Sequence, residues 1–130
     1  LGYCTLYGDM SGGLSAIGDL SKTEVYNLAK WKNKVSNNII PDNSITKPPS
    51  AELAPDQVDP FDYDLISPIV DKIILGEDIS DDIRNNDLGD ISTRISRNEH
   101  KRRQAAPVLR ISKKAFGMGR RIPIVNHFDE

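Results

Sequence analysis

Four short stretches of the chain hold residues able to do chemistry. From Gly8 to Lys22 run four glycines, Asp9, Asp19 and a lysine at a helix start. Glycine lets a backbone approach a ligand, and the free N–H groups of a helix start attract anions. Lys22 sits badly there, because a positive charge opposes the helix dipole; a phosphate nearby would relieve the conflict. The second stretch, Ile45-Thr46-Lys47-Pro48-Pro49-Ser50-Ala51-Glu52-Leu53, sets hydroxyls, an ammonium and a carboxylate around paired prolines. Prolines stiffen the turn, and a hydroxyl beside an ammonium can bind phosphate. The third, Asn98-Glu99-His100-Lys101-Arg102-Arg103-Gln104, could clamp phosphate or pyrophosphate through Lys101 and Arg102. The fourth, Lys113 to Ile124, mixes bases, Phe116 and two glycines. Each also has an ordinary reading: a loop, a solvated helix end, or a tail that is packed on another domain or disordered. Neither G-x-x-x-x-G-K-[ST] nor G-x-G-x-x-G occurs. His100 and His127 have no cysteine or histidine at zinc-ligand spacing, and no nucleophile–histidine set can be assigned.

The elements that must position these residues can be read in outline. Leu1 to Tyr7 is rich in strand formers and is expected to be a strand. Ser21-Lys22-Thr23-Glu24 fits a capping box, so a helix is expected over 22–35, with Val25, Leu28, Ala29 and Val35 facing a core. Residues 36–61 contain Pro41, Pro48, Pro49, Pro55 and Pro60, which forbid a long helix or central strand. That segment reads as a long irregular loop with one short turn near 42–45. A second helix is expected over 64–75, capped by Asp64 and closed by Gly76. Shorter helices are expected at 81–85 behind Ser80, at 91–97 behind Asp90, and near 99–105. From Pro107 the chain reads as extended and loop.

Composition excludes several classes. The chain has 130 residues, 38% hydrophobic and 28% charged, which is one domain with a modest core. No apolar run approaches the roughly 20 residues of a membrane-spanning helix. A single cysteine, Cys4, rules out a disulfide framework and suits a reducing cytoplasm. A chain opening at Leu1 without a signal-peptide pattern is expected to be a piece of a longer polypeptide. The net charge of −2 argues against bulk nucleic-acid binding. Its distribution is uneven: residues 1–100 carry 9 bases and 17 acids, whereas residues 101–130 carry 8 and 2. The basic end could meet phosphates or pair with the acidic stretch.

Taken in order, the blocks have a family likeness. Tyr-Gly-Asp-Met-Ser-Gly-Gly-Leu, Ile-Gly-Asp-Leu-x-Lys-Thr-x-Val-Tyr, Ile-Thr-Lys-Pro-Pro-Ser-Ala-Glu-Leu, Lys-Arg-Arg-Gln and Lys-Ala-Phe-Gly-x-Gly-Arg-Arg-x-Pro-Ile run from near Leu1 to near His127. Together they resemble the C-terminal part of glutamine-dependent NAD synthetases. The resemblance implies an α/β fold, the C-terminal portion of a Rossmann-like domain of the adenine-nucleotide hydrolase type. This portion would be mostly helical, with a short strand and long loops. It implies a ligase that uses ATP and Mg2+ to adenylate deamido-NAD. Ammonia, delivered from glutamine by a glutaminase domain, then yields NAD, AMP and pyrophosphate. A cytoplasmic homo-oligomer with sites at a dimer interface is implied, with no membrane or nucleic-acid partner.

The resemblance also assigns residues. Asp9 matches an aspartate near the nicotinate ring, and Lys22 a lysine on the ATP phosphates. Ser50 takes the hydroxyl position of a phosphate-contacting loop. His100 and Lys101 match a pair reaching phosphates from the partner subunit, with Arg102 assisting. Asp59 matches an acid near the adenosine of deamido-NAD, although the loop from Pro55 to Tyr63 is shorter here than in many relatives. No metal ligand is carried over. The pyrophosphatase loop Ser-Gly-Gly-x-Asp-Ser, the magnesium carboxylates and the glutaminase domain belong to upstream sequence. Ser11-Gly12-Gly13 is followed by Leu14 and is not that loop. The 130 residues alone are therefore expected to be inactive. The rival expectation is a non-catalytic binding or dimerisation module with a basic C-terminal patch for phosphate or nucleic acid.

Overall fold

Among the described residues there are six helices: α1 (Lys22–Val35), α2 (Asp42–Thr46), α3 (Tyr63–Leu75), α4 (Ser80–Asn85), α5 (Ile91–Arg97) and α6 (Glu99–Arg103). The computed structural model describes residues 1–85 and 91–125; the expected cap Asp90 and His127 lie outside them. The chain divides into two units, one formed by 1–20 with 68–130, the other by 21–67. The division falls within α3, at Pro68. That residue lacks the N–H for one rung of the helical ladder.

The unit over 21–67 is organised by caps. The Ser21 N–H donates to Glu24 at 2.7 Å and the Glu24 N–H to Ser21 Oγ at 3.3 Å, completing the capping box of α1. α1 ends where Asn37 and Asn38 adopt left-handed backbone, φ 56° and 55°. Asparagine tolerates that region better than most residues. Buried Asn33 then grips the returning chain. Its Nδ2 donates to the Ile40 carbonyl and its Oδ1 accepts the Ile40 N–H, both at 2.8 Å. α2 packs against α1. Thr23 Oγ1 lies 3.2 Å from the Tyr63 carbonyl and from Ser67 Oγ, tying the first turn of α1 to the start of α3.

α3 is capped by Asp62, not by Asp64 as expected: Asp62 Oδ1 accepts the N–H groups of Asp64 at 3.1 Å and Leu65 at 3.3 Å. The helix starts one turn-position earlier than the apolar pattern suggests, because a cap accepts from the second and third helical residues. Gly76 closes it at φ 77°, with Gly76 N–H to Ile73 O at 3.1 Å and Glu77 N–H to Lys72 O at 2.9 Å. This is the paired closure that a left-handed residue allows. At the start of α4, Asp78 Oδ1 accepts the Ser80 N–H at 2.9 Å and hydroxyl at 2.6 Å.

The described residues of the unit over 1–20 and 68–130 form no ladder. Leu1 to Tyr7 is not the expected strand but turns and loop. Strand formers need a neighbour to pair with, and among the described residues the sole β contact is a parallel bridge between Ser15 and Val108. The Ser15 N–H donates to Pro107 O at 2.8 Å. Here α5 packs on α6. Among the described residues, buried apolar side chains are few: Ile69, Ile91 and Ala115 in this unit and Ile66 in the other. The expected core stripe of α1 is corrected too. Val25 and Ala29 are half-buried, but Leu28 and Val35 are exposed, as is Trp31. No described helix is long and apolar enough to cross a membrane.

Candidate functional site

Residues 21–67 hold a polar trough. Lys22 from the first turn of α1, Asn43 and Ser44 from α2, and Lys47, Ser50 and Glu52 from the proline loop line a cavity of about 390 Å3. Two lysines and two serines facing one space is anion-binding chemistry. Lys22 and Ser50, singled out separately in the sequence, thus meet in one cavity. The Lys22 ammonium lies 5.7 Å from the Tyr26 ring centroid and 5.6 Å from that of Tyr63. The negative faces of these rings offset its unfavourable place at a helix start.

A second cavity of about 360 Å3 shares Tyr26, Lys47, Pro48 and Pro49 with the first. Phe61 and Tyr63 add aromatic wall, and Asp62 and Asp64 add carboxylates. The loop between is closed on itself: the Asp59 N–H donates to Pro49 O at 2.8 Å. Asp59 Oδ2 accepts from the Tyr63 hydroxyl at 2.6 Å, while Oδ1 is buried with no hydrogen-bond partner. A buried acceptor without a donor is costly, so it marks where a donor from outside would be welcome.

The other sequence-derived residues belong to the unit of 1–20 and 68–130. Asp9 is exposed and turned onto its own loop: its Oδ2 accepts from Thr5 N–H at 2.7 Å and from Thr5 Oγ1 at 3.0 Å. Those bonds, the backbone one foremost, hold its carboxyl below the ordinary aspartate range. His100 Nδ1 lies 3.0 Å from Arg97 O. Lys101 Nζ donates to Gly2 O at 2.7 Å and Cys4 O at 2.9 Å.

Arg102 differs from expectation. Nε and one Nη donate to Glu99, and the remaining N–H groups meet the carbonyls of Phe116, Gly117 and Arg120. All five guanidinium donors are used within the unit, so Arg102 fastens the chain after Gly117 rather than standing ready for phosphate. The reason is Glu99, which is 1% exposed. Burial alone would push its carboxyl up. Bonds from Arg102, Arg103 and the Ile122 N–H outweigh that and bring it to about 2.

Asp19 works in the same way. It accepts the N–H groups of Ile111, Ser112 and Phe116 and the Ser112 hydroxyl, at 2.6–3.0 Å. Burial pushes its carboxyl up, the four donors overrule it, and it sits at about 2. Sequence reading overlooked both acids as anchors. Glu99 had a visible signal, with arginines three and four residues on along a helix. Asp19 had none, since its partners lie more than 90 residues away. Among the described residues, no three His, Cys, Asp or Glu side chains gather to hold a metal ion.

Comparisons bear on this constellation. Residues 1–105 match the family model described as NAD synthase. The chain is 43% identical to a protein named glutamine-dependent NAD(+) synthetase from Synechocystis sp., over 98% of this chain and 24% of that protein. It is 44% identical to the one from Acinetobacter baylyi, over 97% and 25%, and 40% identical to the one from Thermotoga maritima, over 99% and 24%. The chain thus spans about a quarter of the length of these relatives. No solved structure matches it. With a family model covering 1–105 and relatives this similar along almost the whole chain, the chain belongs to the NAD synthase family.

Proposed function

We propose that this chain is part of the ATP-dependent amidating domain of a longer glutamine-dependent NAD synthetase, and that it supplies phosphate-handling residues to that domain. On this reading the domain is Rossmann-like, and the sheet that the described residues lack comes from the rest of the polypeptide. The reaction joins ammonia, taken from glutamine by a separate glutaminase domain, to deamido-NAD in a cytoplasmic homo-oligomer. Isolated, the chain is inactive.

The observation that supports this most is the trough holding both Lys22 and Ser50. When the nicotinate carboxylate attacks the α-phosphorus of ATP, the bond to pyrophosphate breaks and negative charge collects on the leaving oxygens. A fixed ammonium and a hydroxyl aimed at those oxygens lower the barrier. His100 and Lys101 join them from the partner subunit, Lys101 exchanging backbone carbonyls for phosphate. Arg102 keeps α6 and the tail in place for that pair. Asp59, with its unpartnered buried oxygen, accepts from a ribose hydroxyl of deamido-NAD. Asp9 stands near the nicotinate end, where ammonia displaces AMP from the acyl-adenylate.

A basic nucleic-acid module gains little from the geometry, because Arg102 and Arg103 are engaged by Glu99 and by backbone carbonyls. The deciding experiment is pyrophosphate release by the full-length protein given ATP, magnesium, deamido-NAD and either glutamine or ammonia. Release that depends on deamido-NAD, with NAD formed from both nitrogen sources, is expected. Lys22→Ala should lower that rate tenfold or more, a barrier rise above about 1.4 kcal/mol. An unchanged rate would remove Lys22 from the mechanism.

A further inference from the structure

The proline loop carries an ion pair that the assignments above leave unused. Lys47 lines both cavities, and its ammonium is paired with Glu52, which also faces the trough. Glu52 is held there at a backbone φ of 53°, a left-handed conformation that glutamate rarely adopts. Two contacts keep it so: the salt bridge to Lys47, and its own N–H donated to Ser50 Oγ at 3.0 Å. Bonding and attraction from Lys47 hold the Glu52 carboxyl below the usual glutamate range, so it is ionised at neutral pH.

We propose that Lys47 is a second ammonium of the phosphate trough and that Glu52 is its built-in competitor, a carboxylate that an incoming phosphate or pyrophosphate must displace. This rests on the reading of the trough as a phosphate site. The two groups that hold Glu52, Lys47 Nζ and Ser50 Oγ, are the two the loop would offer a phosphate. The side chains of the pair are 53% and 66% exposed. Exposed pairs of this kind are weak, whereas a multiply charged phosphate makes stronger charge-assisted bonds to the same ammonium. Displacement also lets the Glu52 backbone leave its strained region. The consequence is selectivity: a singly charged anion competes poorly with Glu52, and a diphosphate competes well.

The test is calorimetric titration of inorganic pyrophosphate into the full-length protein at low salt. Both residues are exposed, so neither replacement empties a packed position. Glu52→Gln is expected to tighten binding at least threefold, and Lys47→Met to weaken it at least fivefold. The double variant should bind like Lys47→Met alone, because without the ammonium there is nothing for Glu52 to hold in check. No tightening in Glu52→Gln, or a gain that survives in the double variant, overturns the proposal. Lys22→Ala separates the two levels. If it weakens pyrophosphate while Glu52→Gln changes nothing, the phosphate site stands and only the competitor falls. If Lys22→Ala leaves binding unchanged, the trough is not the phosphate site and both fall.

Discussion

Glu99 shows how one residue can decide what its neighbours are able to do. Its carboxylate accepts from Arg102 Nε at 2.8 Å, from Arg103 Nε at 2.9 Å and from the Ile122 N–H at 3.3 Å. Arg102, which beside Lys101 looks in the sequence like half of a phosphate clamp, is thereby turned inward together with Arg103. Glu99→Gln keeps the shape and removes the charge. It should destabilise the unit by about 3 kcal/mol, the usual result of breaking a buried pair by removing one partner. The check is the urea midpoint, together with amide exchange at Ile122, whose protection should fall. Unchanged protection at Ile122 would mean that the tail is held by other contacts. Arg120 sharpens the point. Burial, then repulsion from Arg102, lowers its guanidinium pKa, and its Nε has no hydrogen-bond partner. It lies 5.2 Å from the Phe116 ring centroid, and Arg102 lies 5.9 Å from the same ring. Phe116 thus stabilises two cations that would otherwise repel each other with less compensation.

At the scale of elements, local chemistry was legible and partnership was not. The capping box at Ser21 and Glu24 and the stop at Gly76 depend on residues within a turn of one another, so the bounds of α1 and the end of α3 could be read directly. The cap at Asp62 was missed by two residues, because two acids crowd that helix start and pattern alone does not choose between them. The strand expected at 1–7 failed because pairing partners are a property of the surrounding chain, not of Tyr3 or Thr5. The stripe of α1 failed likewise: Leu28 and Val35 have the right spacing, but this chain puts nothing over them. The Gly76 closure is open to a simple trial. At φ 77° a Cβ meets no neighbouring atom, so Gly76→Ala isolates backbone strain from crowding. It should lower stability by about 1 kcal/mol. Gly119 is the contrasting case. A Cβ there would run into the backbone of Ala115, so alanine should be worse at Gly119 than at Gly76 in the same melt.

At the scale of the whole chain, the described residues after Pro107 have neither helix nor ladder to hold them, and side-chain carboxylates do that work. Asp19 gathers the N–H groups of Ile111, Ser112 and Phe116. Glu99, through Arg102 and Arg103, gathers carbonyls from Phe116 to Ile122. The blocks of the sequence that betrayed the family include this tail, yet its attachment was not legible, since contacts between residues 19 and 111 leave no local periodicity. The two acids also tie the unit to pH. Both carboxyls sit at about 2 in the folded chain, against ordinary values of 3.8 for Asp19 and 4.5 for Glu99. A depressed carboxyl stabilises the fold fully above its unfolded value. That contribution is lost as pH falls toward its folded value, because the unfolded chain takes up the proton first. Stability should therefore be flat above about pH 5 and fall between about pH 4.5 and pH 2, by on the order of 2–3 kcal/mol for each group. Urea unfolding followed across that range in the full-length protein measures the slope, and amide exchange at Ile111, Ser112 and Phe116 assigns it. Asp19→Asn should start lower and lose less on acidification. A variant that keeps the full acid slope would mean that Asp19 is not one of the groups whose protonation releases the tail.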